Sequence, residues 1–160
     1  MMFNTRLINS IATKLKNKNQ SIAIAESVTG GLLQAAFSTA NEASFFFQGG
    51  ITVYNIGQKC RHLLIEPLHA LECNCVSEKI ANEMSKNVCK LFVSDYGIGI
   101  TGYAARMPEK NINELFAFYT ISLKDKILEE GKILTDTTEG LPAQLSYVDT
   151  LLTKLNNLLK

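Results

Sequence analysis

The chain has 160 residues, enough for one buried core, and a formal net charge of +1, so no broad basic surface marks it for nucleic acid. Its 46% apolar and 19% charged residues suit a globular protein, and no run of 18 or more apolar residues is available for a membrane span. The opening MMFNTRLINSIATKL has polar breaks and no small-residue cleavage site, which argues against a signal peptide and gives a cytoplasmic expectation.

In chain order, Leu7, Ile8, Ile11, Ala12 and Leu15 recur at helical spacing and predict a helix over 4–18. Ile22 to Ala25 reads as a buried strand that delivers Glu26, Ser27 and Thr29 into a turn ending in Gly30 and Gly31. An apolar helix follows to about Thr39, so the turn is expected to present free backbone N–H groups to an anion or oxyanion. Asn41–Ser44 is a turn before Phe45, Phe46 and Phe47, and Gln48-Gly49-Gly50 is expected to break the chain again. Ile51–Tyr54 reads as a second strand, with Asn55 capping a short helix that carries Lys59, Cys60 and Leu63.

The segment around Pro67 has no periodicity and is expected to be irregular. Ser77 suits the N-cap of a helix whose apolar face is Ile80, Met84, Val88 and Leu91. Tyr96–Ile100 is a strand running into Thr101-Gly102, and residues 103–113 form a polar loop. Leu115–Leu123 and Lys126–Thr135 read as a strand pair, and Leu145 to Leu158 as a last amphipathic helix. This order predicts an α/β fold, a three-layer α/β/α sandwich with a mixed sheet, forming a single domain over residues 1–160. In such sheets ligands lie beyond the carboxyl ends of strands, where Ser27, Tyr54 and Thr101 fall.

The chemistry available at those ends is Glu26, Ser27, Thr29, Ser44, Tyr54, Lys59 and Thr101. Neither His62 nor His69 stands in a catalytic pattern, so a Ser-His-Asp site has little support. A serine activated by a neutral lysine remains open, the lysine needing burial or a cationic neighbour to lower its pKa. Cys73-x-Cys75, near the two histidines, fits no common zinc spacing, and no metal is expected.

Together these residues resemble the CinA C-terminal domain family, whose enzymatic members are nicotinamide mononucleotide deamidases. Glu26-Ser27-Val28-Thr29-Gly30-Gly31 is similar to the family's ES-C-TGG turn, with Val28 in place of cysteine, and Ser44 to Tyr54 is similar to its serine-to-tyrosine block. Lys59, Val76-Ser77-Glu78 and Thr101-Gly102 extend the similarity. The resemblance implies an amidohydrolase that converts the carboxamide of a small nucleotide to the acid and ammonia, without cofactor, nucleic acid or membrane, as a cytoplasmic homodimer. By position it implies Ser44 as nucleophile, ahead of Ser27, with Lys59 as base and Tyr54 supporting proton transfer. It also implies that Ser27, Thr29, Gly30, Gly31, Thr101 and Gly102 line the substrate pocket.

Three departures accompany it. Tyr103-Ala104-Ala105-Arg106-Met107-Pro108 replaces a glycine-rich loop, and no Lys or Arg lies between Lys132 and Lys154, where the family carries an arginine for the phosphate. Arg106 is the candidate substitute. The nucleotide-processing domain of longer members has no counterpart, which gives the expectation of a stand-alone domain. The alternative reading is a nucleotide- or partner-binding module that keeps the scaffold without the activity.

Overall fold

The computed structural model describes all residues, Met1–Lys160. Each helix starts where a side chain or proline suits its first turn. Helix α1 (Thr5–Asn17) is capped by Asn4, whose side chain accepts from the Leu7 N–H. Strand β1 (Ile22–Glu26) leads to α2 (Leu32–Ser38), then through a 3-10 turn at Ala43–Phe45 to β2 (Phe47–Thr52). Asn55 caps α3 (Ile56–Leu63) and Ser77 caps α5 (Glu78–Phe92), as their sequence positions predict. Strand β3 (Tyr96–Gly102), the pair β4 (Leu115–Leu123) and β5 (Lys126–Thr135), and helix α6 (Leu141–Leu158) complete the chain.

Two expectations are corrected. The segment at Pro67 is helical, α4 (Pro67–Glu72), because proline stands in the first turn, where its missing N–H costs nothing, and the Glu66 carboxylate accepts from the Leu68 and His69 N–H groups. Gln48-Gly49-Gly50 does not break the chain but lies inside β2, paired in parallel with β1. Gly50 belongs there because a Cβ would sit 2.5 Å from the Ile24 carbonyl oxygen and 2.8 Å from Gln34 Cγ.

The sheet order is β2-β1-β3-β4-β5, the first three strands parallel and the last two antiparallel to their neighbours. β1 is buried along its whole length, and its alternation explains why. Ile22 and Ile24 enter a core with α1, α2 and α6, while Ala23 and Ala25 enter a smaller core with Leu63, Ala70, Ile80, Met84 and Val88. Helices therefore cover both faces, giving the three-layer sandwich with a mixed sheet. No helix is long and apolar enough to cross a membrane.

The YGIGI pattern of β3 is a packing device. Ile98 and Ile100 fill the larger core, and Gly99 faces α5. A Cβ on Gly99 would fall inside contact distance of the Ala81 carbonyl oxygen and 2.7 Å from the Ser85 nitrogen. These are backbone atoms of α5, whose Ala81, Met84 and Ser85 are fully buried, so the helix itself must shift to admit a methyl group. Gly99→Ala is expected to lower stability by about 1–3 kcal/mol through overpacking, read as a lower urea midpoint with an unchanged slope.

From β1 the chain moves to β2 on one side and then crosses to β3 on the other. The carboxyl ends of β1 and β3 thus flank a topological switch point, where a crevice opens in sheets of this kind.

Candidate active site

The crevice is a cavity of about 640 Å³ at those strand ends. Ser27 enters it directly after β1, Thr101 and Gly102 from the end of β3, and Tyr54 and Lys59 from the end of β2 and from α3. Val28, Asn74, Cys75, Tyr103 and Gln144 contribute further wall.

Lys59 is the chemical centre. Its side chain is 1% exposed, and Nζ donates to the Val53 carbonyl at 2.9 Å and lies 3.0 Å from Ser27 Oγ. Asn55 starts α3 so that Lys59 falls on the first turn, facing back toward the strand end. Burial pushes the ammonium pKa below its ordinary 10.5, and the nearby Cys75 and Cys60 thiols act in the opposite direction to a lesser extent. When Lys59 is neutral, its lone pair can accept the Ser27 hydroxyl proton across the same 3.0 Å contact.

The turn after β1 is built differently from the sequence expectation. The Glu26 carboxylate is fully buried and accepts from Thr29 Oγ1 at 2.6 Å, the Leu33 N–H at 3.1 Å and the Gln34 N–H at 2.8 Å. The first turn of α2 is thereby occupied by the protein's own carboxylate and is not open to a ligand anion. Thr29 is fully buried, outside the cavity wall, and holds Glu26 in place. Gly30 and Gly31, both at positive φ, form the bend into α2 and do not line the cavity either. The Val28 and Thr29 N–H groups donate to no protein acceptor, which leaves Val28, the residue after Ser27, as the nearest backbone donor for an oxyanion. Glu26→Ala is expected to cost about 2–4 kcal/mol by leaving buried donors unpaired, measured as a lower thermal midpoint.

Ser44 is not in the cavity. It lies exposed on the 3-10 turn that precedes β2, whereas Tyr54 and Lys59 follow the strand's other end. The six residues of β2 alone span roughly 20 Å. Lys59 therefore pairs with Ser27, the serine ranked second from sequence. Tyr54 stands at the rim, 70% exposed, and the two Lys59 hydrogen bonds go to Ser27 and Val53 instead.

Thr101 and Gly102 line the cavity as expected from their position, and Thr101 Oγ1 donates to the Cys75 carbonyl at 2.7 Å, fixing the opposite wall. Arg106 does not enter the cavity. Its guanidinium faces Glu139 at 3.6 Å and its Nε donates to the Asn113 carbonyl. Of the residues considered for zinc, Cys75 faces the cavity while His69 Nε2 bonds Ser77 Oγ, and no three His, Cys, Asp or Glu side chains gather in metal-binding reach.

Two wall residues, Gln144 and Asn74, and Tyr147 behind the wall had no role from sequence. Gln144 Nε2 donates to the Val28 carbonyl from 116 residues away, Asn74 Nδ2 donates to the Tyr103 hydroxyl, and the Tyr147 hydroxyl donates to the Tyr103 carbonyl. No local pattern announces such contacts; only the folded topology brings them together.

The same architecture occurs in proteins of known structure. A competence-damaged protein (CinA) superfamily protein from Klebsiella pneumoniae superposes with a TM-score of 0.90 at 24% identity, covering 98% of each chain. The competence/damage inducible protein CihA from Agrobacterium tumefaciens gives 0.84 at 20% identity, covering 98% of this chain and 95% of its own. A Natranaerobius thermophilus protein provisionally named as competence-damage inducible is 34% identical over 105 residues, 66% of this chain. The matched segment is only 26% of that relative, so the chain corresponds to a fraction of such longer proteins. The family model for the CinA C-terminal domain matches residues 4–114, which include Ser27, Lys59 and the strands that position them. By that match the chain belongs to the CinA C-terminal domain family.

Proposed function

We propose that the chain is an amidohydrolase of the serine–lysine type, acting on a primary carboxamide of the kind carried by nicotinamide mononucleotide. The observation that supports it is the buried lysine amine 3.0 Å from a serine hydroxyl inside a cavity at the switch point of the sheet. Burial lowers the amine's pKa and so favours the neutral form that a serine needs from a partner when no histidine is present.

In this reading Ser27 Oγ attacks the carboxamide carbon as Lys59 Nζ takes the hydroxyl proton. The tetrahedral oxyanion is met by the Val28 N–H. On collapse, the leaving nitrogen takes the proton from Lys59 and departs as ammonia, leaving an ester on Ser27. Water, deprotonated by Lys59, then attacks the ester, and the acid leaves as Ser27 regains its proton. The Val53 carbonyl holds Nζ on the serine side throughout. Tyr54 at the rim faces the entering substrate rather than the dyad.

The test is ammonia release from nicotinamide mononucleotide and from simpler pyridine carboxamides, with rapid acid quench and intact mass to detect an acyl adduct on Ser27. Release with an adduct on Ser27 supports the reading. An adduct on Ser44, or release undiminished in Ser27→Ala, overturns it. Thermal shifts with nucleotides and no turnover of any amide would leave the binding-module reading in its place.

A further inference from the structure

The inference rests on the serine–lysine reading above and concerns how the oxyanion donor of that reading is held. A peptide unit is planar, so whatever fixes its carbonyl also fixes its N–H. The Ser27 carbonyl accepts from the Gly30 N–H at 3.0 Å. The Val28 carbonyl accepts from Gln144 Nε2 at 2.8 Å and from no other protein group. The N–H groups of these same two peptides, on Val28 and Thr29, are the ones without a protein acceptor.

The first clamp is local to the turn, whereas the second comes from α6, 116 residues away. Helix α6 is anchored without it. The Gly140 N–H donates to the Ala104 carbonyl and the Tyr147 hydroxyl to the Tyr103 carbonyl, each at 2.7 Å, and Ala143, Tyr147 and Leu151 are fully buried. Gly30 leaves room for the amide, since a Cβ there would stand 3.4 Å from Gln144 Nε2. Without this donor the 28–29 peptide is free to rotate, as the central peptide of a four-residue turn does between turn types. The backbone that carries the Val28 N–H then loses the fixed direction that oxyanion stabilisation requires. Gln144 lines the cavity itself, so the clamp sits in the wall of the site.

We propose that Gln144 is a positioning residue, whose amide N–H holds the Val28 carbonyl so that the Val28 N–H is aimed at the oxyanion formed on attack by Ser27. It makes no hydrogen bond to Ser27 or Lys59. Its influence is felt where charge develops on the substrate oxygen, so it sets kcat rather than substrate affinity.

Two variants test it. Gln144→Met keeps the unbranched length without the donor, and Gln144→Glu keeps the shape but sets an acceptor against the Val28 carbonyl. In ammonia release from nicotinamide mononucleotide, kcat is expected to fall about ten- to a hundredfold in both, with KM within about threefold of the parent. If the parent releases no ammonia, the rate of Ser27 acylation by p-nitrophenyl acetate is compared instead, with the same loss expected. Pyridine-3-carboxaldehyde separates positioning from packing. Ser27 Oγ adds to its carbonyl carbon and the hydroxyl proton passes to Lys59, which leaves an alkoxide where the oxyanion would stand. Pyridine-3-methanol has the same ring and no carbonyl. Affinity for the aldehyde is expected to fall by the same factor as the rate, and affinity for the alcohol to stay within about threefold of the parent. Parent-like rates in either variant, or an equal loss of aldehyde and alcohol binding, overturns the proposal. Absence of both Ser27 acylation and an aldehyde adduct in the parent sinks the serine–lysine reading, and this inference with it.

Discussion

Ser27→Ala is expected to reduce amide turnover by about a thousandfold or more, whereas Ser44→Ala is expected to change it less than about threefold. Removing a nucleophile that acts as a unit with its base abolishes most of the catalysis above binding and oxyanion contacts. Ser27 is 7% exposed, within 3.0 Å of Lys59 Nζ and beside the unpaired Val28 N–H. Ser44 is exposed at the opposite end of β2 and touches none of these groups. The two variants also differ in what they do to folding. Ser27 Oγ is one of two partners of Lys59 Nζ, and the Val53 carbonyl remains as the other, so Ser27→Ala is expected to keep a thermal midpoint within a few degrees of the parent. Steady-state ammonia release, with circular dichroism to confirm folding, separates the cases. A dead Ser44→Ala beside an active Ser27→Ala would return the nucleophile to the 3-10 turn.

The sequence exposed more of the fold than of the site, for a physical reason. Strands and helices here follow from local patterns: the Asn55 and Ser77 caps, the Ile–Ala alternation of β1, and the glycine–isoleucine alternation of β3. The candidate site depends on which ends of those elements meet. Placing Ser27, Tyr54 and Thr101 at strand ends was enough to find the cavity, because parallel strands bring their carboxyl ends to one side. The expectation that Ser44 pairs with Lys59 departs from the same rule, since Ser44 precedes its strand and so lies at the amino end of the sheet, outside the cavity. Glu26 misled in another way. A strand–turn–glycine–helix pattern presents N–H groups to an anion only if no neighbouring carboxylate takes them first, and here the residue before Ser27 does. The wall residues Asn74 and Gln144 carry no local signature at all, since each acts through a partner far along the chain.

Lys59→Met is expected to abolish turnover, by about a thousandfold or more, while leaving the protein as stable as the parent or more stable at neutral pH. Methionine fills the same unbranched volume without a charge to desolvate. It gives up the Nζ contacts to Ser27 and to the Val53 carbonyl, whose loss is worth about 1–3 kcal/mol and opposes the gain. The two contributions are separated by pH. Burial lowers the Lys59 pKa in the folded state below its ordinary 10.5, so between those two values the unfolded chain binds a proton that the folded chain does not. Stability attributable to this group therefore rises with pH across that window, and its unfavourable contribution is largest below the folded-state pKa. The parent should gain on Lys59→Met as pH is raised toward 10.5, since only the parent is relieved of a buried charge. Turnover by the parent has the same sign, increasing as Lys59 loses its proton. Urea midpoints of both proteins from neutral to alkaline pH, with kcat/KM of the parent over the same range, check the pair of expectations. A stability difference independent of pH, with a rate that falls as the pH rises, would place Lys59 in the charged form and exclude it as the base.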